Sequence, residues 1–170
     1  GARGTFFARA IDTQSKQLQD VCMHMAAHDG AAVVEVLQNC VIFNDGTHKE
    51  VTDKEVRDDR QLWLEHGKPM IFGKNKDKGI VLRGTKLEVV TIGENGITEK
   101  DILVHDETTE NTGIHMMLAQ MRPPEFPMAF GVIRAYKQPT YNQLFEKQMQ
   151  EAQENAKIKC VDDLLNSGET

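Results

Sequence analysis

The first third of the chain places an amphipathic stretch between two short apolar runs. Residues 5–11 and 31–37 are apolar, and the second run is rich in Val, which is typical of strands. Between them, apolar residues recur every three or four positions and predict one stripe of a helix: Leu18, Val21, Cys22, Met25 and Ala26. Asp29-Gly30 is typical of a helix end. This order predicts a βαβ crossover with two parallel neighbouring strands.

The remaining pattern mixes strands and helices. Residues 45–67 are polar, and we expect a loop followed by a surface helix that Trp63 anchors. Strands are predicted within residues 69–104 and over residues 126–135, and helices near residues 110–121 and 141–157. The pattern therefore predicts an α/β protein, with a partial parallel sheet opened by the βαβ unit and a C-terminal α+β extension.

Polar side chains at three positions predict how helices begin. Residues 12–15 offer side-chain oxygens that could cap the first helix. Thr98 with Asp101, and Thr140 with Gln143, have the spacing of capping boxes.

Composition and charge narrow the class of protein. The chain has 170 residues, of which 39% are hydrophobic and 27% charged, as in an ordinary globular protein. Its formal net charge of −6 argues against a nucleic-acid-binding protein. No apolar stretch approaches the roughly 20 residues of a membrane-spanning helix, and no signal-peptide layout is visible. We expect a cytoplasmic protein that binds neither nucleic acid nor membranes.

The three cysteines, Cys22, Cys40 and Cys160, lie far apart and form no C-x-x-C pair. This spacing predicts neither a disulfide framework nor a self-contained zinc or cluster site, so we expect reduced thiols. Cys40 comes soon after the second strand. The pattern alone favours a buried free thiol there.

Histidines supply two further candidates. His24 and His28 are four residues apart and could share a metal on one helix face, but a third ligand is not evident. His105 precedes Asp106 and Glu107, a combination suited to acid–base chemistry. Neighbours in a strand point to opposite faces, so a structural role is favoured for His105.

The basic segment Lys74–Lys78 could hold a phosphate or an acidic cofactor. A solvated turn between two strands is favoured, because no Gly-rich loop between a strand and a helix accompanies it. The common dinucleotide, P-loop, esterase and zinc-protease motifs are also missing from the sequence. Composition and motifs alone define only an α/β protein.

Several stretches, taken in order, resemble the C-terminal half of the β subunit of 2-oxoacid:ferredoxin oxidoreductases, which include 2-oxoglutarate synthase. These are GARGTFFARAI, VVEVLQNCVIFND, PMIFGKNKDKGI, VHDE and FPMAFGVIRAYKQPTY. No single stretch is highly specific, but their order spans essentially the whole chain. The resemblance implies that residues 1–50 are the C-terminal part of a thiamin-diphosphate-binding α/β layer. Residues 51–170 would be a family-specific C-terminal extension.

The resemblance also implies a function. This family oxidatively decarboxylates a 2-oxoacid to acyl-CoA and transfers electrons to ferredoxin. The implied cofactors of the intact enzyme are thiamin diphosphate, Mg²⁺ and a [4Fe–4S] cluster. The implied partners are the N-terminal half of the same subunit, an α subunit, γ and δ subunits in some assemblies, ferredoxin, the 2-oxoacid and coenzyme A.

The family's G-D-G signature for thiamin diphosphate is missing, since Asp29-Gly30 and Asp45-Gly46 do not follow its pattern. The chain also enters an apolar strand pattern without a starting Met, which suggests an excised piece of a longer polypeptide. We therefore expect no catalytic or thiamin-binding residue within it. The isolated chain is expected to be inactive, free of cofactors and to expose an apolar face.

The resemblance changes the interpretation of Cys40. Where the family's β subunit holds a [4Fe–4S] cluster, three ligands come from its early part. The fourth resembles the cysteine in Asn39-Cys40-Val41-Ile42-Phe43-Asn44, with Asn39 where the family usually has Pro. Cys40 is thus implied as the fourth ligand. Backbone amides of the following turn could stabilise the sulfur.

Two alternatives remain open. One is a non-catalytic module for subunit assembly or interaction, which the missing thiamin signature and the long polar C-terminal helix favour. The other is an independent α/β domain that binds a small molecule.

Overall fold

The main sheet has four strands in the order β2-β1-β7-β3. In this computed structural model, which describes residues 3–168, β1 (Phe6–Ile11) and β2 (Ala32–Leu37) are parallel neighbours joined by α1 (Ser15–Ala26). The predicted βαβ crossover is confirmed. Strand β7 (Met128–Ala135) pairs antiparallel with β1 and parallel with β3 (Gln61–Leu64), so the sheet is mixed and partly parallel. The α/β fold class predicted from the sequence is confirmed.

A second sheet has three antiparallel strands in the order β4-β5-β6. The remaining elements of residues 1–137 are α2 (Lys49–Thr52), α3 (Arg57–Arg60), β4 (Ile71–Phe72), β5 (Lys78–Arg83), β6 (Lys86–Thr91), a 3-10 helix (Glu99–Asp101) and α4 (Thr112–Gln120). The largest cluster of buried apolar residues joins this second sheet to α4 and the main sheet, with Leu62, Ile80 and Leu118 fully buried.

The prediction of a surface helix around Trp63 is wrong. Trp63 lies in β3 opposite Phe130 of β7, and the two rings stack with centroids 5.1 Å apart. The charged segment before it forms only the short helices α2 and α3. Residues 61, 62 and 64 are buried, and this burial against β7 favours a strand over a surface helix.

The helix starts agree with the sequence at two of three places. Thr98 with Asp101, and Thr140 with Gln143, form capping boxes as predicted. The prediction for α1 is wrong, since its N-cap is Gln14 and no side chain there accepts a hydrogen bond from the helix. The Gln14 amide instead donates to Oε1 of Gln61 over 2.9 Å and joins α1 to β3.

Residues 1–50 and 51–137 share the main sheet, because β7 pairs with β1. The boundary expected at residue 50 stays a prediction about the family's architecture. By its internal contacts the chain divides into residues 1–137 and 138–170.

The second unit contains α5 (Tyr141–Asn155) and α6 (Val161–Leu165), and none of its described residues is buried. Helix α5 exposes a stripe of large apolar side chains: Tyr141, Leu144, Phe145 and Met149. Across residues 3–168, no helix combines the length and the apolar character that crossing a membrane requires.

Candidate functional site

The candidate site lies where β1 and β2 end. Because these strands are parallel, their carboxyl ends meet at one edge of the sheet, the position where ligands of open α/β sheets commonly bind. The backbone N–H of Asp12, just after β1, donates to the carbonyl of Leu37 at the end of β2 over 3.1 Å. The chain then continues from Leu37 into the segment that contains Cys40.

Residues 40–44, the Cys40 turn, fold back on themselves. Cys40 and Asn44 form an isolated antiparallel bridge, in which the N–H of Asn44 donates to the Cys40 carbonyl over 3.0 Å. Asn39 closes the loop, since its amide donates to Asp45 over 2.9 Å and its Oδ1 accepts from the N–H of Gly46 over 2.8 Å. The Asn39 side chain thus has a structural role that Pro could not fill.

Backbone amides of the turn affect the pKa of the Cys40 thiol. Hydrogen bonding from the N–H of Phe43, and then from those of Ile42 and Asn44, lowers the pKa of the Cys40 thiol below its ordinary value of 9.0. Donors aimed at sulfur favour the thiolate, the form of cysteine that binds iron and other metals. This lowered pKa agrees with a thiolate at Cys40, whereas stabilisation of a metal-bound sulfur by these amides and the metal-binding role of Cys40 stay predictions.

The tip of the Cys40 turn is apolar and exposed. Val41, Ile42 and Phe43 retain 75%, 82% and 90% of their accessible surface. Three consecutive exposed apolar residues beside a half-buried thiol are unusual on a free protein surface. This arrangement is suited to contact with another protein segment.

A small cavity of about 220 Å³ adjoins the Cys40 turn. Its lining contains polar and charged side chains: Asp12, Asn39, His48, Lys49 and Asp53. Asn39 belongs both to this lining and to the network that fixes the turn.

Cys40 could supply only a single ligand to a metal ion or cluster. Among residues 3–168 no group of three or more His, Cys, Asp or Glu side chains is placed to hold a metal ion. Cys22 lies on α1, and the Cys160 sulfur accepts from the N–H of Asp163 over 3.5 Å at the start of α6. A thiolate at Cys40 fits one position of a cluster, and the other ligands would have to come from elsewhere.

The paired histidines do not share a helix face. His24 lies in α1, where its Nδ1 is 3.0 Å from the carbonyl of Asp20. His28 lies beyond the end of α1, and its Nε2 is hydrogen-bonded to the Thr5 hydroxyl over 2.9 Å.

His105 is buried and Asp106 is exposed, as expected of neighbours in an extended segment. His105 Nε2 donates to the Val132 carbonyl over 2.8 Å, while its Nδ1 has no partner. Burial lowers the pKa of His105 and keeps the ring neutral. These contacts tie the segment to β7 and agree with a structural role.

His115 and Arg134 form a hydrogen-bonded pair that the sequence does not predict. Both side chains are buried, although each belongs to a polar residue type. The only sequence signal was a histidine within the apolar pattern of α4.

The fold and the Cys40 turn define an α/β protein with a cysteine just beyond the carboxyl edge of its parallel strands. The resemblance predicted from the sequence is confirmed, and the chain is a relative of the β subunits of 2-oxoacid:ferredoxin oxidoreductases.

The relative that carries this conclusion is 2-oxoglutarate oxidoreductase subunit KorB of Mycobacterium tuberculosis. The two are 34% identical over 150 residues, which cover 88% of this chain and 39% of KorB. The chain therefore spans about two-fifths of that subunit's length. No family model matches the chain, and no solved structure matches it.

Proposed function

We propose that the chain is the C-terminal part of a β subunit in a 2-oxoacid:ferredoxin oxidoreductase. The intact enzyme would oxidatively decarboxylate a 2-oxoacid, pass its acyl group to coenzyme A and transfer electrons to ferredoxin. The observation that carries the proposal is the 34% identity to KorB over 150 residues. A cytoplasmic location belongs to the same proposal.

In this proposal, the chain works only with the rest of its subunit and with partner subunits. The missing part, which corresponds to the uncovered length of KorB, would bind thiamin diphosphate and Mg²⁺. The missing G-D-G signature supports this division of labour. The isolated chain would accordingly be inactive.

We further propose that Cys40 supplies the fourth thiolate of a [4Fe–4S] cluster. The cluster would provide one-electron transfer when bound. Support comes from the lowered pKa of the Cys40 thiol, which backbone amides of residues 42–44 cause, since the thiolate is the form of cysteine that binds iron. The exposed side chains of Val41, Ile42 and Phe43 could be covered by the segment that brings the other three thiolates.

An activity measurement tests the main proposal. The complete β subunit, co-expressed with its partner subunits, is expected to reduce ferredoxin only when a 2-oxoacid and coenzyme A are both present. A panel that includes 2-oxoglutarate and pyruvate would identify the preferred acid. Failure of every acid to support reduction by an assembled, cofactor-loaded complex would contradict the proposed reaction.

A separate titration tests the division of labour. The isolated chain is expected to bind thiamin diphosphate with Mg²⁺ no more tightly than it binds inorganic diphosphate. Markedly tighter saturable binding of thiamin diphosphate than of inorganic diphosphate would instead mean that this chain carries a thiamin site of its own.

Subunit assembly is the second candidate function, and the exposed apolar stripe of α5 favours it. Such a stripe is typical of a helix that packs against a partner. Removing residues 138–170 from the complete β subunit is expected to weaken its association with the partner subunits. Unchanged stoichiometry and affinity would contradict this role.

A further inference from the structure

We propose that a cationic cavity between the start of α1 and the β4–β5 turn binds a small anion that carries several phosphate charges. This inference does not depend on the proposed enzyme function. The cavity has a volume of about 730 Å³, within the range of small-molecule sites. Its charged lining consists of four cationic and two acidic residues: Lys16, Arg57, Lys74, Lys76, Asp58 and Glu65.

The charge of this lining is opposite to that of the chain. Lys16, Lys74 and Lys76 form no ion pair within residues 3–168. Arg57 and Asp58 neutralise each other, with Nε and Oδ1 3.5 Å apart. Glu65 therefore remains as the single unpaired carboxylate of the lining, and the cavity carries a net charge of +2 in a chain of net charge −6.

The β4–β5 turn, residues 73–77, is fixed by its backbone. The N–H of Gly73 donates to the Asp58 carbonyl over 2.9 Å, and the N–H of Lys76 donates to the Gly73 carbonyl over 3.0 Å. These hydrogen bonds hold the turn that carries Lys74 and Lys76 beside α3.

Two further carboxylates, Asp59 and Asp77, lie beside Gly73 in the turn, but neither pairs with Lys16, Lys74 or Lys76. Asp59 is paired with Lys78, with Nζ and Oδ1 2.8 Å apart, and it lies outside the lining. Asp77 follows Lys76 in the turn and is also absent from the lining. Three ammonium groups thus remain available to a ligand in one cavity.

Charge and chemistry together select the class of ligand. Lysine ammonium groups bind phosphates as point charges and need no planar partner. A cavity whose lining carries a net charge of one sign concentrates ions of the other sign. Since Lys16, Lys74 and Lys76 are exposed, affinity should rise with the charge of the anion and fall with added salt.

Calorimetric titration of the full chain with inorganic tripolyphosphate tests the proposal. We expect saturable binding that is at least fivefold tighter than that of inorganic phosphate and weaker at high ionic strength. The cavity variant is Lys74→Gln/Lys76→Asn, with Asn at 76 because this residue has a positive φ of 53°. The control variant, Lys86→Gln/Lys100→Gln, removes the same charge from residues outside the cavity.

The two variants separate a specific site from general charge attraction. The cavity variant is expected to bind tripolyphosphate at least fivefold more weakly, and the control variant within a factor of two of the original chain. Equal weakening in both, or no saturable binding to the original chain at millimolar tripolyphosphate, would overturn the proposal. Circular dichroism of both variants would confirm that they are folded.

Discussion

Arg134 donates a hydrogen bond from Nη1 to Nδ1 of His115 over 3.1 Å, and both side chains are buried. Since Nδ1 accepts, the other ring nitrogen of His115 donates to the Asp106 carbonyl, 2.8 Å away. Arg134 also donates to the carbonyls of Gly4 and Thr109 over 3.0 and 2.8 Å. One guanidinium thus joins β7, α4 and the segment before β1.

Removing this guanidinium should destabilise the fold. Arg134→Met leaves two carbonyls and the acceptor nitrogen of His115 without their donor, so we expect the free energy of unfolding to fall by about 2–4 kcal/mol. Urea denaturation measures this loss. Arg83→Met is the control, because Arg83 pairs with Glu88 while its side chain stays 61% exposed; there we expect a change within about 1 kcal/mol. Equal losses would contradict the structural role of Arg134.

Two buried histidines should make the fold sensitive to mild acid. Burial lowers the pKa of both His105 and His115 below 6.5, and the charge of Arg134 adds to the effect at His115. Below pH 6.5 the unfolded chain therefore binds protons that the folded chain resists. The free energy of unfolding should therefore be highest above pH 6.5 and decrease toward pH 5.

Urea denaturation at a series of pH values between 7.5 and 5 measures this decline. His105 faces His115, His66 and Asp106, and the exposed carboxylate of Asp106 opposes the shift only weakly. His105→Gln should flatten the slope over this interval. A pH-independent free energy of unfolding in the original chain would contradict the burial of neutral rings.

Gly131 should tolerate no side chain where β3 and β7 meet. Its φ is +90°, and an added Cβ would lie 2.8 Å from the carbonyl oxygen of Leu64. Gly131→Ala is expected to cost about 2 kcal/mol or more, from strain together with displacement of β3. Gly84→Ala is the matched control, because Gly84 also has a positive φ, +61°, but an added Cβ there would have no neighbouring atom within 4 Å. We expect this control to lower the free energy of unfolding by about 1 kcal/mol. Similar losses in thermal or urea unfolding would argue against the close strand contact.

Cys40 should react as a thiolate at lower pH than an ordinary thiol. The amides of Phe43, Ile42 and Asn44 lower its pKa below 9.0. In the Cys22→Ser/Cys160→Ser protein, Cys40 is the only cysteine. The rate of its alkylation by iodoacetamide, measured against pH, is expected to show an inflection below 9.0. An inflection at or above 9.0 would mean that the amides do not act on the sulfur.

The sequence predicted those parts of the fold that depend on local patterns. The apolar runs and the stripe between them were sufficient to predict β1, α1 and β2, because each of these elements has its pattern within a short continuous segment of the sequence. The predicted helix at Trp63 is wrong because β3 has only four residues, and its partner β7 begins more than 60 positions later. Periodicity in a short window carries no information about such a pairing.

The candidate site was predictable to a similar extent. Cys40 stood out only through the resemblance to a family, whereas its pattern favoured a buried thiol. The contact between His115 and Arg134 joins residues 19 positions apart in different elements. Only the fold brings these two side chains together, and their residue types favour the surface.

The most direct test of the role of Cys40 is the iron content of the complete, co-expressed enzyme with Cys40→Ser. We expect loss of [4Fe–4S] absorbance and of electron transfer to ferredoxin in this variant, while Cys160→Ser, at an exposed thiol, keeps both. Unchanged iron content and cluster absorbance in Cys40→Ser would contradict the proposed role as a cluster ligand and leave Cys40 as a structural thiol.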